Sequence, residues 1–195
     1  MLASITPLGE RGRHSRWGIT VTAFVLGATI AGGALGALAG ELGAVLLPVS
    51  VDLETRLAAL AAAGLLAVAL DVRAERVPGP RRQVNEDWLQ AFRGWVYGLG
   101  YGAQLGFGLS TVVSSAALYV AVIAALATGD PSLGTLVLGS FGAARGLTLL
   151  AGAGVRRPDQ LIALHVRIGQ WRGRARTAGA STLVAIAAAA LIGAL

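Results

Sequence analysis

Five long apolar stretches alternate with short polar connectors along this 195-residue chain. The stretches lie near residues 18–40, 57–70, 95–127, 132–153 and 178–195. About 20 apolar residues are needed to cross the hydrocarbon core of a bilayer. We therefore predict an all-α, polytopic bundle of transmembrane helices with five spans, in which residues 1–195 form a single integral membrane domain.

Two of the stretches depart from the usual length of a span. Leu57–Leu70 has roughly 14 residues, so that either it borrows Leu53 to Arg56 or the bilayer thins around it. The run Gly94–Ala127 is too long for one straight span, and serine and threonine interrupt it. We interpret this run as one bent or broken crossing, because no turn dipeptide supports a tight re-entrant pair.

The connectors fall into two classes by charge. Connectors 10–16, 71–93 and 156–176 hold fourteen of the sixteen arginines, whereas connectors 48–56 and 128–131 hold only Arg56 among three acidic residues. Short cytoplasmic loops of membrane proteins carry an excess of basic residues. We therefore predict a bacterial-type cytoplasmic membrane, with the arginine-rich connectors inside the cell and the C-terminus outside.

The connector 156–176 has a pattern of its own. Leu161, Leu164, Ile168 and Trp171 recur at helical spacing opposite several arginines. This pattern predicts an amphipathic helix that lies on the cytoplasmic leaflet, where arginine meets anionic headgroups. The lipid bilayer is thus the first expected partner.

Composition narrows the classes of function. The net charge is +6, but the arginines are divided among short loops rather than gathered on one face, so nucleic acid is not an expected partner. The chain has no cysteine, which excludes disulfides and thiolate metal sites within it. Its spans hold no paired carboxylates, metal-ligand clusters or nucleophile triads, so we predict no enzyme, catalytic residue, cofactor or metal.

An internal repeat relates two of the stretches. Val25–Gly40 and Val137–Gly152 are identical at eight of sixteen positions, where so biased a composition would give roughly two matches by chance. The predicted spans run in opposite directions, which indicates an inverted-topology repeat. The pseudo-repeats are about 1–72 and 94–195, joined by a cytoplasmic linker 73–93. A symmetric scaffold would need a sixth span before Met1, so that either the sequence begins at an internal methionine or the protein has evolved with five spans. Convergence of Gly/Ala/Leu-rich spans is the alternative explanation of the repeat.

Small residues form ridges at a spacing of four on two of the predicted helices. One ridge is Ala28, Gly32, Gly36 and Gly40, and the other is Gly94, Gly98, Gly102, Gly106, Ser110 and Ser114. In lipid, such faces let helix backbones approach closely. We favour a packing role over a ligand path, and the same faces offer a contact for another membrane protein or a second copy of the chain.

One charge falls inside a predicted span, at Arg145. An intramembrane arginine indicates a functional site by default, although a side chain that snorkels toward the cytoplasmic surface is an equal alternative. The polar groups of the long run are expected to face the protein interior, a break in the helix or a small wet cavity. They are Tyr101, Gln104, Ser110, Thr111, Ser114 and Ser115.

Three segments carry a resemblance to a known family. They are Ser4–Leu8, Phe24–Gly27 and Gly106–Thr111. Over roughly residues 4–195, the chain resembles the transmembrane domain of the cytochrome c biogenesis and thiol-disulfide interchange family. That family has a cysteine where this chain has Thr6-Pro7-Leu8 and another where it has Ser110-Thr111-Val112. The resemblance therefore implies a scaffold of two inverted halves around a central site, and no redox activity.

Two functions remain as hypotheses. The first is a small transporter or permease-like protein whose substrate-binding residues near the midplane are Thr6, Gln104, Ser110, Thr111, Ser114 and Arg145. There Arg145 would favour a small anionic solute or supply a counter-charge. The second is a non-catalytic accessory or assembly subunit, derived from the redox scaffold and held to a membrane partner by its glycine faces.

Overall fold

A computed structural model of the chain describes residues 5–47, 51–73, 87–108 and 115–194. These residues form eight α-helices and a 3-10 turn, with no strand among them. The helices are α1 Pro7–Gly12, α2 Trp17–Leu46, α3 Leu53–Arg73, α4 Trp88–Ala91, α5 Gly94–Phe107, α6 Ala117–Thr128, α7 Pro131–Leu147 and α8 Pro158–Gly193, and the 3-10 turn Thr148–Gly152 extends α7. The predicted all-α class is confirmed.

Four helices of the described ranges are long and apolar enough to cross a membrane: α2, α3, α7 with its 3-10 extension, and α8. Because α3 begins at Leu53, the short stretch gains the residues it lacked, and the borrowing of 53–56 is confirmed. The four helices are consistent with the predicted polytopic membrane protein. The described helix α6 has 12 residues and is too short to cross by itself.

Helix α2 is the centre of the bundle, and glycine contacts give the direction of its neighbours. Gly32 lies against Leu138 and Gly40 against Asp130, so α7 runs antiparallel to α2. In the contact with α5, residue numbers increase together along both helices, since Gly98 lies against Thr20 and Gly106 lies against Ala28. Helix α5 is therefore parallel to α2.

The glycine ridges are the surfaces through which these helices pack. A Cβ atom added at Gly98 would lie 2.5 Å from the carbonyl oxygen of Thr20, and one added at Gly32 would lie 2.5 Å from that of Leu138. These distances are too short for any side chain, so the helix backbones are in direct contact. The packing role predicted from the spacing of small residues is confirmed.

The long apolar run forms two helices, as the prediction of a bent or broken crossing required. Helix α5 ends where Gly108 adopts a φ of +62°, a backbone angle that favours glycine. Helix α6 then continues in the same direction along α2, because Gly43 lies against Leu126. Residues 109–114 are outside the described ranges, and with them the predicted site residues Ser110, Thr111 and Ser114.

Helices α3 and α8 form a second antiparallel pair. Gly64 lies against Ala187, and Gly193 lies against Leu57. The amphipathic connector and the last span were predicted as separate helices, but they form one continuous helix of 36 residues. The reason is local, because no proline follows Pro158 and the alanine-rich sequence has a high helix propensity.

The two copies of the internal repeat lie on α2 and α7, which pack antiparallel. The pairing of α3 with α8 is antiparallel as well. Both pairings meet the requirement of opposite direction that an inverted repeat imposes. A twofold relation between residues 1–72 and 94–195 remains a prediction.

The close contact of α2 with α5 makes a direct prediction. Gly98→Ala places a methyl group against the backbone of Thr20, and such overpacking costs about 1–3 kcal/mol. Thermal unfolding of the detergent-solubilised chain measures the loss. Gly173→Ala is the matched control, because an added Cβ there meets nothing within 4 Å, so that the melting temperature stays equal or rises. Equal melting temperatures for both variants would show that the α2–α5 contact is not tight.

Candidate functional site

Helix α1 closes one end of the bundle. The hydroxyl of Thr6 accepts a hydrogen bond from the amide of Gly9 at 3.2 Å, and Pro7 follows at the first helical position, so a short helix begins here. The amide of Leu8 donates to the carbonyl of Val155 at 3.0 Å. We call this region the arginine end: α1, the first turns of α2 and α5, and residues 153–157.

A fully buried carboxylate lies at the arginine end. Glu10 is 0% exposed, and both of its oxygens accept hydrogen bonds. The hydroxyl of Tyr97 lies 2.6 and 2.7 Å from the two oxygens, and the hydroxyl of Thr20 donates at 2.6 Å. The guanidinium of Arg13 completes the network with an ion pair at 2.7 Å. Glu10 thus joins α1 to α2 and α5.

Arg13 interacts with the aromatic face as well as with the carboxylate. Its guanidinium carbon lies 5.7 Å from the centroid of the Tyr97 ring, within range of a cation–π interaction. Burial lowers the pKa of Arg13, but hydrogen bonds to Glu10 and Tyr97 and the charges of these groups outweigh it, so the pKa is raised. The guanidinium therefore stays charged and neutralises the buried carboxylate, which would be costly to leave unpaired.

Aromatic and apolar side chains enclose this network. Tyr97 and Tyr101 have ring centroids 6.0 Å apart, and Tyr101 stacks on Trp88 at 5.9 Å. Ile5, Phe24 and four further buried residues form the surrounding core cluster. A carboxylate, two hydroxyls and an aromatic face together favour a cation, and in this structure the cation is Arg13.

A second group of charges lies where α5 and α6 are interrupted. Nη1 of Arg145, on α7, donates to the carbonyl oxygen of Leu105 in the last turn of α5 at 3.0 Å. Its guanidinium carbon lies 5.8 Å from the centroid of the Phe141 ring. This contact caps the carbonyl end of α5, where a cation is favoured. It gives Arg145 a protein partner inside the bundle.

Asp71, at the end of α3, caps the other side of the interruption. Its carboxylate accepts hydrogen bonds from the hydroxyl of Ser115 at 2.7 Å and from the amide of Ala116 at 2.8 Å. Both donors lie at the N-terminus of α6, where a negative charge is favoured. Nε of Arg176 donates to the backbone carbonyl of Asp71 at 2.7 Å, which attaches α8 to the same point.

Arg56, at the opposite end of α3, caps the C-terminus of α6. Its Nη1 donates to the carbonyl of Ala127 at 3.4 Å, and its Nε to that of Val51 at 3.2 Å. Helix α3 therefore places Asp71 at the N-terminus of α6 and Arg56 at its C-terminus. Each charge is opposite in sign to the end of the helix dipole that it meets, so both stabilise α6. This role explains the single arginine in the acidic connectors.

The predicted substrate-binding residues have different positions. Arg145, on α7, contacts the last turn of α5, and Gln104 belongs to that turn. Thr6 is buried at the arginine end, where its hydroxyl is the N-cap of α1. The three remaining residues, 110, 111 and 114, lie outside the described ranges.

Sequence reasoning missed two acidic residues, Glu10 and Asp71. The available signal was that Glu10 is the one acid within the arginine-rich connector 10–16, and that Asp71 directly follows an apolar stretch. Apart from Arg13, which is three residues from Glu10, the partners come from distant helices, and neither pattern identifies them. Within the described ranges, no group of three or more His, Cys, Asp or Glu residues could hold a metal ion.

Comparisons with known proteins identify relatives. No protein-family model and no solved structure matches the chain. The methylamine utilization protein MauF of Methylobacillus flagellatus is 30% identical over 206 residues, and the match covers 97% of this chain and 68% of that protein. MauF of Methylophilus methylotrophus is 29% identical with the same coverage, 97% and 68%.

A third relative matches a smaller part. MauF of Methylorubrum extorquens is 35% identical over 136 residues, which cover 68% of this chain and 44% of that protein. These matches do not show the relation to the cytochrome c biogenesis family that the sequence indicated. The match to the first relative spans nearly the whole of this chain and more than two thirds of that relative. On this basis the chain belongs to the MauF family of methylamine utilization proteins.

Proposed function

We propose that this chain is a permease-like protein of the cytoplasmic membrane that moves a small solute. The observation that supports it best is the interruption between α5 and α6, with Arg145 at one helix end and Asp71 at the other. Interrupted crossings in transporters place backbone carbonyls and amides near the middle of the bilayer, where solutes bind. Such backbone groups are tolerated at that depth where they are buried in protein or line a cavity.

The proposed topology has five crossings, with α5 and α6 counted together as one. The arginine end faces the cytoplasm, and the C-terminus lies outside. Two features support this assignment. The arginine-rich connector 10–16 and the start of α5 lie at the same end of the bundle. At the opposite end, Gly193 lies beside Leu57, near the start of α3. The excess of arginine on one side then follows the rule for cytoplasmic loops.

The relatives are named for methylamine utilization, and we propose that this chain acts in the same process. Methylammonium is therefore the first solute to test. An anionic solute remains a prediction, which rests on Arg145. A guanidinium carries five N–H donors, one of which bonds to the carbonyl of Leu105, and we propose that a solute anion binds through the others.

The role of Arg145 is testable by flux. Proteoliposomes are assayed for uptake of radiolabelled methylammonium and, as an anionic probe, formate. Arg145→Gln keeps a donor for the carbonyl of Leu105 but removes the charge, and we expect uptake of the transported probe to fall at least about tenfold, equivalent to roughly 1.4 kcal/mol. Arg167→Ala, an exposed arginine on α8, is the control and leaves uptake unchanged.

The outcomes of this assay are separable. Unchanged uptake in a well-folded Arg145→Gln protein would refute the role of Arg145 but not transport. If the natural chain moves neither probe faster than empty liposomes, the transport proposal is refuted for both probes.

The proposed topology is testable by labelling, because the chain has no cysteine of its own. Single cysteines at Asp159, Glu54 and Gly193 are treated in intact cells with a membrane-impermeant maleimide. We expect the reagent to label Glu54→Cys and Gly193→Cys, and to label Asp159→Cys only after the cells are broken. Labelling of Asp159→Cys in intact cells would reverse the assignment.

The alternative function is a non-catalytic accessory or assembly subunit, including one derived from a thiol-redox scaffold. One observation favours it: residues 158–175 of α8 extend beyond the contact of Arg176 with the end of α3, and they carry exposed side chains such as Trp171, at 62%. This function predicts stable co-purification with another membrane protein. Purification as a lone monomer, with solute uptake, would exclude it.

A further inference from the structure

We propose that Glu10, Tyr97 and Thr20 form a binding site for a small organic ammonium cation, and that the guanidinium of Arg13 occupies this site in the structure. The inference rests on the proposed function in one respect, since it names the class of solute. Binding itself does not require transport. The site is distinct from the interruption between α5 and α6.

The acceptors suit an ammonium group. The hydroxyls of Tyr97 and Thr20 donate to the carboxylate of Glu10 at 2.6–2.7 Å. The Tyr97 hydroxyl also interacts with the side chains of Arg13 and Ser15, so an acceptor on it becomes available when Arg13 leaves. An alkylammonium has up to three N–H donors and no acceptor. A carboxylate flanked by two hydroxyl oxygens matches that donor set.

The aromatic wall suits the alkyl group and the charge. The face of Tyr97 already holds a cation, with the Arg13 carbon 5.7 Å from the ring centroid. The ring of Tyr101 lies beside that of Tyr97, with centroids 6.0 Å apart, and Phe24 belongs to the same buried cluster. A desolvated ammonium group is stabilised when it lies above the face of an aromatic ring. The site would therefore prefer a methyl- or ethylammonium to a bare metal ion.

Exchange of Arg13 for a free ammonium conserves charge. Glu10 is 0% exposed, so its carboxylate must be paired, but any monovalent cation at that position pairs it. Arg13 is the residue at which α1 ends, and its side chain is 24% exposed. Its guanidinium can therefore leave toward solvent while Glu10 stays bonded to α2 and α5. Arg13 acts as a tethered competitor of the solute.

Chemical rescue tests the proposal. Purified full-length protein in detergent is unfolded by heat in the presence of increasing methylammonium chloride. Arg13→Ala lowers the melting temperature, and methylammonium restores it in a saturable way by at least about 3 °C. The natural chain responds at concentrations at least about tenfold higher, because Arg13 competes. Glu10→Gln combined with Arg13→Ala gives no response.

Controls separate binding from other effects. Sodium chloride at equal ionic strength and tetraethylammonium, which is too bulky for the space of one guanidinium, should not restore Arg13→Ala. Arg11→Ala, an exposed arginine on the same helix, should behave like the natural chain. Equal restoration by sodium chloride, or none by methylammonium, would reduce the cluster to a structural ion pair and overturn the proposal.

Two further outcomes are informative. If Arg13→Ala folds only when methylammonium is present during purification, the proposal is supported, and if it fails to fold even then, the proposal is refuted. Rescue without uptake in proteoliposomes would keep the site and refute transport. Uptake without rescue would keep transport and refute the site.

Discussion

The structure depends on one constraint: backbone groups at helix ends inside an apolar bundle must find partners. The chain interrupts one helix path between α5 and α6, which exposes carbonyls on one side and amides on the other. Charged side chains from other helices meet both, since Arg145 binds the carbonyl of Leu105 and Asp71 binds the amide of Ala116. Arg145, the one charge inside a predicted span, and Asp71, the first residue of a polar connector, therefore make the interruption possible.

Close packing of glycine explains how so few large side chains hold the bundle together. Lipid chains are as apolar as the helices, so association depends on close contact and on hydrogen bonds rather than on burial from water. Helix α2 contacts α5 and α7 through backbone atoms at Gly98 and Gly32. The α3–α8 pair joins this core mainly at α6, where Asp71 and Arg56 fix both ends of a short helix.

Features set by local sequence were predictable, and features set by distant contacts were not. The apolar stretches, the role of the glycine ridges and the broken path of 94–127 follow from length and spacing, because these properties determine helices and their faces. Of the partners of Glu10, Arg13 is three residues away at helical spacing, whereas Thr20 and Tyr97 are 10 and 87 residues away and no periodicity links them to it. The continuity of α8 was not predicted for another reason. The sequence changes from amphipathic to apolar near residue 178, which suggested a helix boundary, but one continuous helix carries both parts.

The charges at the two sites bear differently on the solute. Arg145 faces the carbonyl end of α5, which carries partial negative charge, so much of its charge is already balanced by the protein. The charge of Glu10 is balanced as well, but by the side chain of Arg13, which is partly exposed and lies at the end of a six-residue helix. Removal of Arg13 leaves a buried carboxylate that must take up a proton or bind another cation. Removal of a solute anion from Arg145 would leave a guanidinium that still has a partner. The stronger demand for a ligand is therefore at Glu10, and it is a demand for positive charge.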